Sequence, residues 1–153
     1  MNIVVFDAKP YDIEFFEKWN KQYGARITYY SEKLTLKTAA VLTKYQDVVC
    51  TFVNDDLNEK VIEILSRNGV RAIAIRAAGY NNVDIRAAYH NRVTVFRVPA
   101  YSPYAVAEHA LALLMTVNRK TNKAYNRTRE GNFSLVGLTG IDLNGKTAGV
   151  IGT

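Results

Sequence analysis

The rhythm of apolar positions changes repeatedly along the chain. Residues 3–6 (Ile-Val-Val-Phe) form an unbroken apolar run, the mark of a strand buried on both faces. Ile13, Phe16, Trp19 and Tyr23 then recur at helical spacing, with Pro10 suited to a first turn and Gly24 to a stop. Residues 27–30 read as a second short strand, 35–42 as one or two weak helical turns, and 47–52 as a third strand. Asp55 and Asp56 precede Leu57, Val61, Ile62 and Leu65, a helix that stops near Asn68-Gly69. Residues 72–75 (Ala-Ile-Ala-Ile) are the fourth strand and 93–96 the fifth.

Strands that alternate with helices predict a parallel sheet with helices on both faces. The expected fold class is α/β, a flavodoxin-like doubly wound sheet of five strands. The fourth strand ends on Arg76 and drops into Ala77, Ala78 and Gly79. Asn81, Asn82 and Asp84 follow as helix-starting residues, with Ile85, Ala88 and Tyr89 at helical spacing. Ligands of open α/β sheets sit at the carboxyl ends of strands, where such a loop lies. Gly79 serves there either a sharp turn or the close approach of another molecule. Spacing alone reads the loop as a connector.

At Pro99 the pattern changes. Residues 99–103 (Pro-Ala-Tyr-Ser-Pro) form a linker whose Ser102-Pro103 pair opens a helix. Val106, Ala107, Ala110, Leu111, Leu113, Leu114, Met115 and Val117 make that helix apolar almost all round, so it calls for cover on several sides, from a second domain or a second subunit. The helix is expected to continue toward Arg129. Four glycines then mark residues 131–145 as loop, and residues 147–151 read as another buried strand running into Gly152. A strand meeting a glycine is how a dinucleotide-binding unit begins, although its fingerprint needs further glycines and a helix. The expected organisation is therefore 1–100 as one domain, 101–145 as linker, helix and loop, and 146–153 as the opening of a second domain.

Composition narrows this picture. An apolar share of 48% against 22% charged is that of a chain that buries a core. The lone cysteine, Cys50, lies in an apolar run and reads as a small buried hydrophobe, which fits a reducing, cytoplasmic setting. The first residues lack the basic start and long apolar stretch of a signal peptide, and no apolar run spans a membrane. Arg119, Lys120, Lys123, Arg127 and Arg129 supply most of the net charge of +6. One local cluster with the single aromatic Tyr125 reads as a solvated helix end rather than a nucleic-acid surface.

Four motifs, in order and spanning the chain, resemble the D-2-hydroxyacid dehydrogenase family, closest to its fermentative, NAD-dependent D-lactate branch. They are residues 51–56 (Thr-Phe-Val-Asn-Asp-Asp), the 76–84 loop, 98–110 with Ala105-Val106-Ala107-Glu108-His109-Ala110, and 145–152 (Gly-Lys-Thr-Ala-Gly-Val-Ile-Gly). The resemblance implies a substrate-binding domain, an interdomain helix, and the first strand of an NAD-binding domain. It implies that N–H groups of Ala78 and Gly79 bind a substrate carboxylate, with Phe52 closing over its apolar end and Tyr101 close by. It places Arg76 at the strand end as a brace of the 76–84 loop, with a surface salt bridge as its alternative, Val106 beside the nicotinamide and Gly152 at the start of the phosphate loop. Asp84 starts a helix, and His109 is a packing residue of the interdomain helix, not the family's catalytic histidine. The family's catalytic Arg, Glu and His match positions beyond residue 153, so no catalytic residue and no metal ligand is assigned. The expected ligand is a small 2-oxo or 2-hydroxy acid, the expected state a homo-oligomer, and the 153-residue piece is expected to be inactive. Ala77 stands where the family more often has Ser or Cys, and Tyr80 where it has Phe. Phe52 replaces the Tyr of some relatives, which leaves the preferred acid open. A stand-alone flavodoxin-like anion-binding or regulatory domain is the alternative, although a second acid at a strand end and a Ser/Thr/Gly flavin loop are both missing.

Overall fold

The computed structural model describes residues 1–151. The elements in chain order are β1 (Asn2–Val5), α1 (Pro10–Asn20), β2 (Arg26–Tyr29), α2 (Leu36–Leu42), β3 (Val48–Thr51), α3 (Glu59–Arg67), β4 (Ala72–Ile75), α4 (Ile85–His90), β5 (Thr94–Arg97), α5 (Pro103–Arg119) and α6 (Thr121–Arg129). All neighbouring strands are parallel, in the order β2-β1-β3-β4-β5. This is the expected flavodoxin-like order, and its parallel pairing is what the alternation predicts.

The period of two along each strand divides the core. Val4, Val49 and Ile73 lie in register on one face and meet Ala39 of α2, Val61, Ile62 and Leu65 of α3, and Ala87 and Ala88 of α4. Val5, Cys50 and Ala74 occupy the other face, where Phe16 of α1 packs with Ile3, Ile27 and Tyr29. Cys50 is free and buried there, as expected of a small hydrophobe. Burial pushes its thiol above the ordinary range, with Arg76 acting against that shift.

Contacts divide the chain into two compact units, Met1–Tyr101 and a second from Ser102. Two expectations fail in the second. The long helix breaks at Lys120, whose φ of 51° and ψ of 36° are left-handed. A returning loop holds the break: Asn118 Nδ2 donates to Ile141 O, Ile141 N–H donates back to Asn118 Oδ1, and Lys120 Nζ reaches Thr139 O. Gly140 lies so close to the Asn118 carbonyl that a Cβ there would collide with it. Residues 147–151 form no strand, and Val150 and Ile151 are exposed. Strand geometry needs a neighbour to accept its hydrogen bonds, and among the described residues none pairs with this segment. Gly152 lies outside the described residues.

Candidate functional site

The loops at the carboxyl edge of the sheet are joined to one another by a small set of polar side chains. Asp55, 3% exposed, accepts from Phe52 N–H at 2.6 Å and from Leu34 N–H at 2.7 Å, so one carboxylate orders the loops after β2 and β3. Asn82 donates from Nδ2 to Phe52 O (3.2 Å) and Asp55 O (3.0 Å), which ties the loop after β4 to the same group. A Leu57–Val83 bridge and an Asp84 N–H to Leu57 O bond extend the seam. Asp84 also accepts from Ala87 N–H at the start of α4, the helix-start role read from sequence.

Arg76 turns inward at the end of β4. It donates from Nη2 to Phe6 O (3.1 Å) and Asp7 O (3.3 Å), pairs with Asp12 at 3.5 Å, and lies 5.5 Å from the Phe52 ring centroid. The side chains of Arg76 and Asp12 are 13% and 15% exposed, so this is an enclosed ion pair and not a surface salt bridge. The sequence reading placed the brace on the 76–84 loop; the geometry puts it on the end of β1, because the guanidinium reaches unpaired strand-end carbonyls there. Beside it Asp7 sits at φ 49°, a left-handed setting that Asp tolerates, and pairs with Lys9 at 2.7 Å. That bond and charge hold the Lys9 ammonium above its ordinary pKa.

A cavity of about 280 Å³ lies between Asp7, Lys9, Tyr11, Asp12, Phe52, Arg76 and Tyr101. It unites three of the residues singled out from sequence: Phe52, Arg76 and Tyr101. The four from the β1–α1 segment were missed, although the carboxyl end of a first strand is itself a signal for a ligand site. Ala78 and Gly79 do not line this cavity; they occupy the adjoining loop. Among the described residues neither of their N–H groups has an acceptor. Gly79 is not left-handed, and a Cβ there would meet nothing within 4 Å. A sharp turn is thus not the reason for this glycine, and the space beside it is open.

Arg97 was also missed. From the end of β5 its Nη1 donates to Ala78 O at 3.2 Å, and to Val98 O and Pro99 O at 3.4 Å each. Val106 and His109 belong to the second unit, on α5, and both are exposed. No residue of α5 is buried.

A strand-end loop with two free N–H groups beside a cavity walled by an aromatic ring suits a small carboxylate with an apolar tail. Residues 3–141 match the profile of the D-isomer specific 2-hydroxyacid dehydrogenase catalytic domain. The chain belongs to that family. It is 52% identical over 153 residues to 2-hydroxyacid dehydrogenase homolog 1 of Schizosaccharomyces pombe, covering all of this chain and 46% of the relative. The apo-structure of D-lactate dehydrogenase from Escherichia coli superimposes with a TM-score of 0.88 at 48% identity, covering all of this chain and 48% of that one. An NAD-complexed D-isomer specific 2-hydroxyacid dehydrogenase from Lactobacillus delbrueckii ssp. bulgaricus matches at 26% identity and a TM-score of 0.66, covering 88% of this chain and 41% of that one. The chain thus spans about half the length of the dehydrogenases it matches.

Proposed function

We propose that this chain supplies the substrate side of an NAD-dependent oxidoreductase that interconverts a small 2-oxo acid and its D-2-hydroxy acid, pyruvate and D-lactate first among them. The observation that carries this reading is the pair of unengaged N–H groups at Ala78 and Gly79, on a loop fixed from both sides. A carboxylate takes several N–H donors, and the open space at Gly79 lets it approach. Phe52, held by Asp55 and Asn82, would close over the apolar end of the acid, and Tyr101 would bound it from the linker. Arg76 keeps Phe52 and the end of β1 in place; its donors are engaged inside the protein, so it acts on the substrate through them.

A nicotinamide, when bound, would supply the hydride acceptor and donor chemistry. Among the described residues the only glycine between a strand and the helix that follows it is Gly79, short of the glycine-rich phosphate turn such a group needs, so Val106 and the segment leading to Gly152 are proposed as points of approach. Within the unit Met1–Tyr101 the one histidine, His90, is on α4 and does not line the cavity. The chain by itself is therefore proposed to bind the acid without turning it over. We also propose a reducing, cytoplasmic setting, association between copies through α5, and no nucleic-acid role for the cations of α6. Among the described residues no helix is long and apolar enough to cross a membrane.

Titration of the isotope-labelled chain with pyruvate tests the proposal. The amide signals of Ala78 and Gly79 are expected to move together, saturably, and more than those of α6. Unmoved signals at both positions overturn it. Oxidation of NADH with pyruvate by the isolated chain would overturn the division of labour.

A further inference from the structure

We infer that Arg97 is a positioning residue that aims and strengthens the carboxylate-binding N–H of Gly79; this rests on the carboxylate reading of the 76–84 loop. The Ala78 carbonyl and the Gly79 N–H belong to one peptide unit. In a trans peptide these two groups point in opposite directions, and no peptide bond among the described residues is cis. Arg97 Nη1 donates to the Ala78 carbonyl at 3.2 Å. Holding the oxygen on the Arg97 side fixes the plane of the peptide and directs the Gly79 hydrogen away from Arg97, where no acceptor among the described residues takes it.

The same contact acts electronically. A cation at the carbonyl oxygen draws density through the amide and makes its N–H a stronger donor, the cooperative polarisation of linked hydrogen bonds. The guanidinium is itself held. It lies 5.5 Å from the Tyr80 ring centroid and donates at 3.4 Å to Val98 O and Pro99 O, while Val98 N–H donates to Ala77 O at 3.1 Å. Arg97 thus binds the anion loop to the linker that leads to Tyr101 and keeps both walls of the site in step.

Acetate titration of the isotope-labelled full chain, followed at the Gly79 amide, tests this. In Arg97→Ala the Gly79 proton is expected upfield before any ligand is added, and the acetate Kd roughly three- to tenfold higher. Arg97→Lys should recover part of the loss, since it keeps a charged donor without the fork. Free guanidinium at low millimolar concentration should restore affinity to Arg97→Ala and leave the wild-type chain unchanged, which a purely structural role would not produce. Should Arg97→Ala not fold, Arg97→Gln, a neutral donor, takes its place, with the same expected weakening and the same guanidinium response. An acetate Kd within about twofold of wild type in the folded variant, with the Gly79 signal unmoved, overturns the inference while leaving the carboxylate reading intact. No Gly79 response in the wild-type chain overturns that reading itself and the inference with it.

Discussion

Ile62 and Leu65 on α3 are fully buried, whereas Leu111, Leu113 and Leu114 on α5 keep 59%, 52% and 48% of their surface open. The two helices carry similar side chains and differ in how those are distributed. α3 puts its apolar residues on one side, and one sheet face is enough to cover them. α5 is apolar almost all round, and a helix of that kind is satisfied only when it is surrounded. The unit Met1–Tyr101 therefore closes its own core, and the unit from Ser102 presents an apolar surface suited to a partner. Stability should reside in the first and association in the second.

The largest effect should separate them directly. Leu65→Ala removes a side chain with no solvent exposure and is expected to cost about 3 kcal/mol in urea unfolding. Leu113→Ala, measured where sedimentation shows single copies, should change the same transition by less than about 0.5 kcal/mol. Trp19 of α1, the single tryptophan, reports the first unit by fluorescence. Equal costs at the two leucines would break the contrast.

Two arginines sharpen it next. Arg76 and Arg127 each tie backbone carbonyls together, Arg127 reaching Ser134 O and Val136 O on an exposed surface. Only Arg76 is enclosed with a carboxylate, so Arg76→Met leaves Asp12 as an uncompensated, largely buried charge. It should cost about 3 kcal/mol, against less than about 1 kcal/mol for Arg127→Met, by the same unfolding measurement.

These contrasts also show what the sequence made legible. The strands and α3 were readable because their information is local: an apolar run, a period, a cap. Strict alternation made the parallel sheet readable. Arg76 was legible as a strand-end residue, but its destination was not, since Phe6 O is 70 positions away. Asp55 looked like one of two helix-preceding acids, and nothing in its spacing says that it faces inward to Leu34 and Phe52. Arg97 and Asn82 escaped for the same reason, as did the contribution of Asp7 to Asp12. Residues 147–151 carry a strand's composition without its structure, because pairing needs a partner that composition does not provide.

Asp55 gives the first unit a pH response. Burial raises its carboxyl above the ordinary 3.8, and the Phe52 and Leu34 N–H donors only partly oppose this. A folded-state pKa above the unfolded one means that the native protein holds the proton longer. Between the two values the native state binds more protons, so this group's contribution to stability falls as pH rises from about 3.8 through its folded pKa, then levels off. Asp55→Asn should flatten that descent in urea midpoints read through Trp19. A variant that keeps the full slope would move its origin elsewhere.

The smallest expected effect has the opposite sign, and two threonines of the first unit define it. Thr43 and Thr51 are both fully buried. The Thr43 hydroxyl donates to Ala39 O at 2.7 Å and accepts from Asn68 Nδ2 at 2.9 Å. The Thr51 hydroxyl, at the end of β3, has no hydrogen-bond partner among the described residues. A buried hydroxyl without a partner loses its water and gains nothing in exchange. Valine keeps the shape and suits a strand equally well. Thr51→Val is therefore expected to stabilise the unit by up to about 1 kcal/mol, whereas Thr43→Val removes two hydrogen bonds, leaves Asn68 Nδ2 only its bond to Ala39 O at 3.1 Å, and should cost about 1–2 kcal/mol. Calorimetry on both variants reads the sign. Destabilisation by both would mean that the Thr51 hydroxyl is bonded in solution, and would place a polar partner at the carboxyl end of β3, beside the loop that carries Phe52.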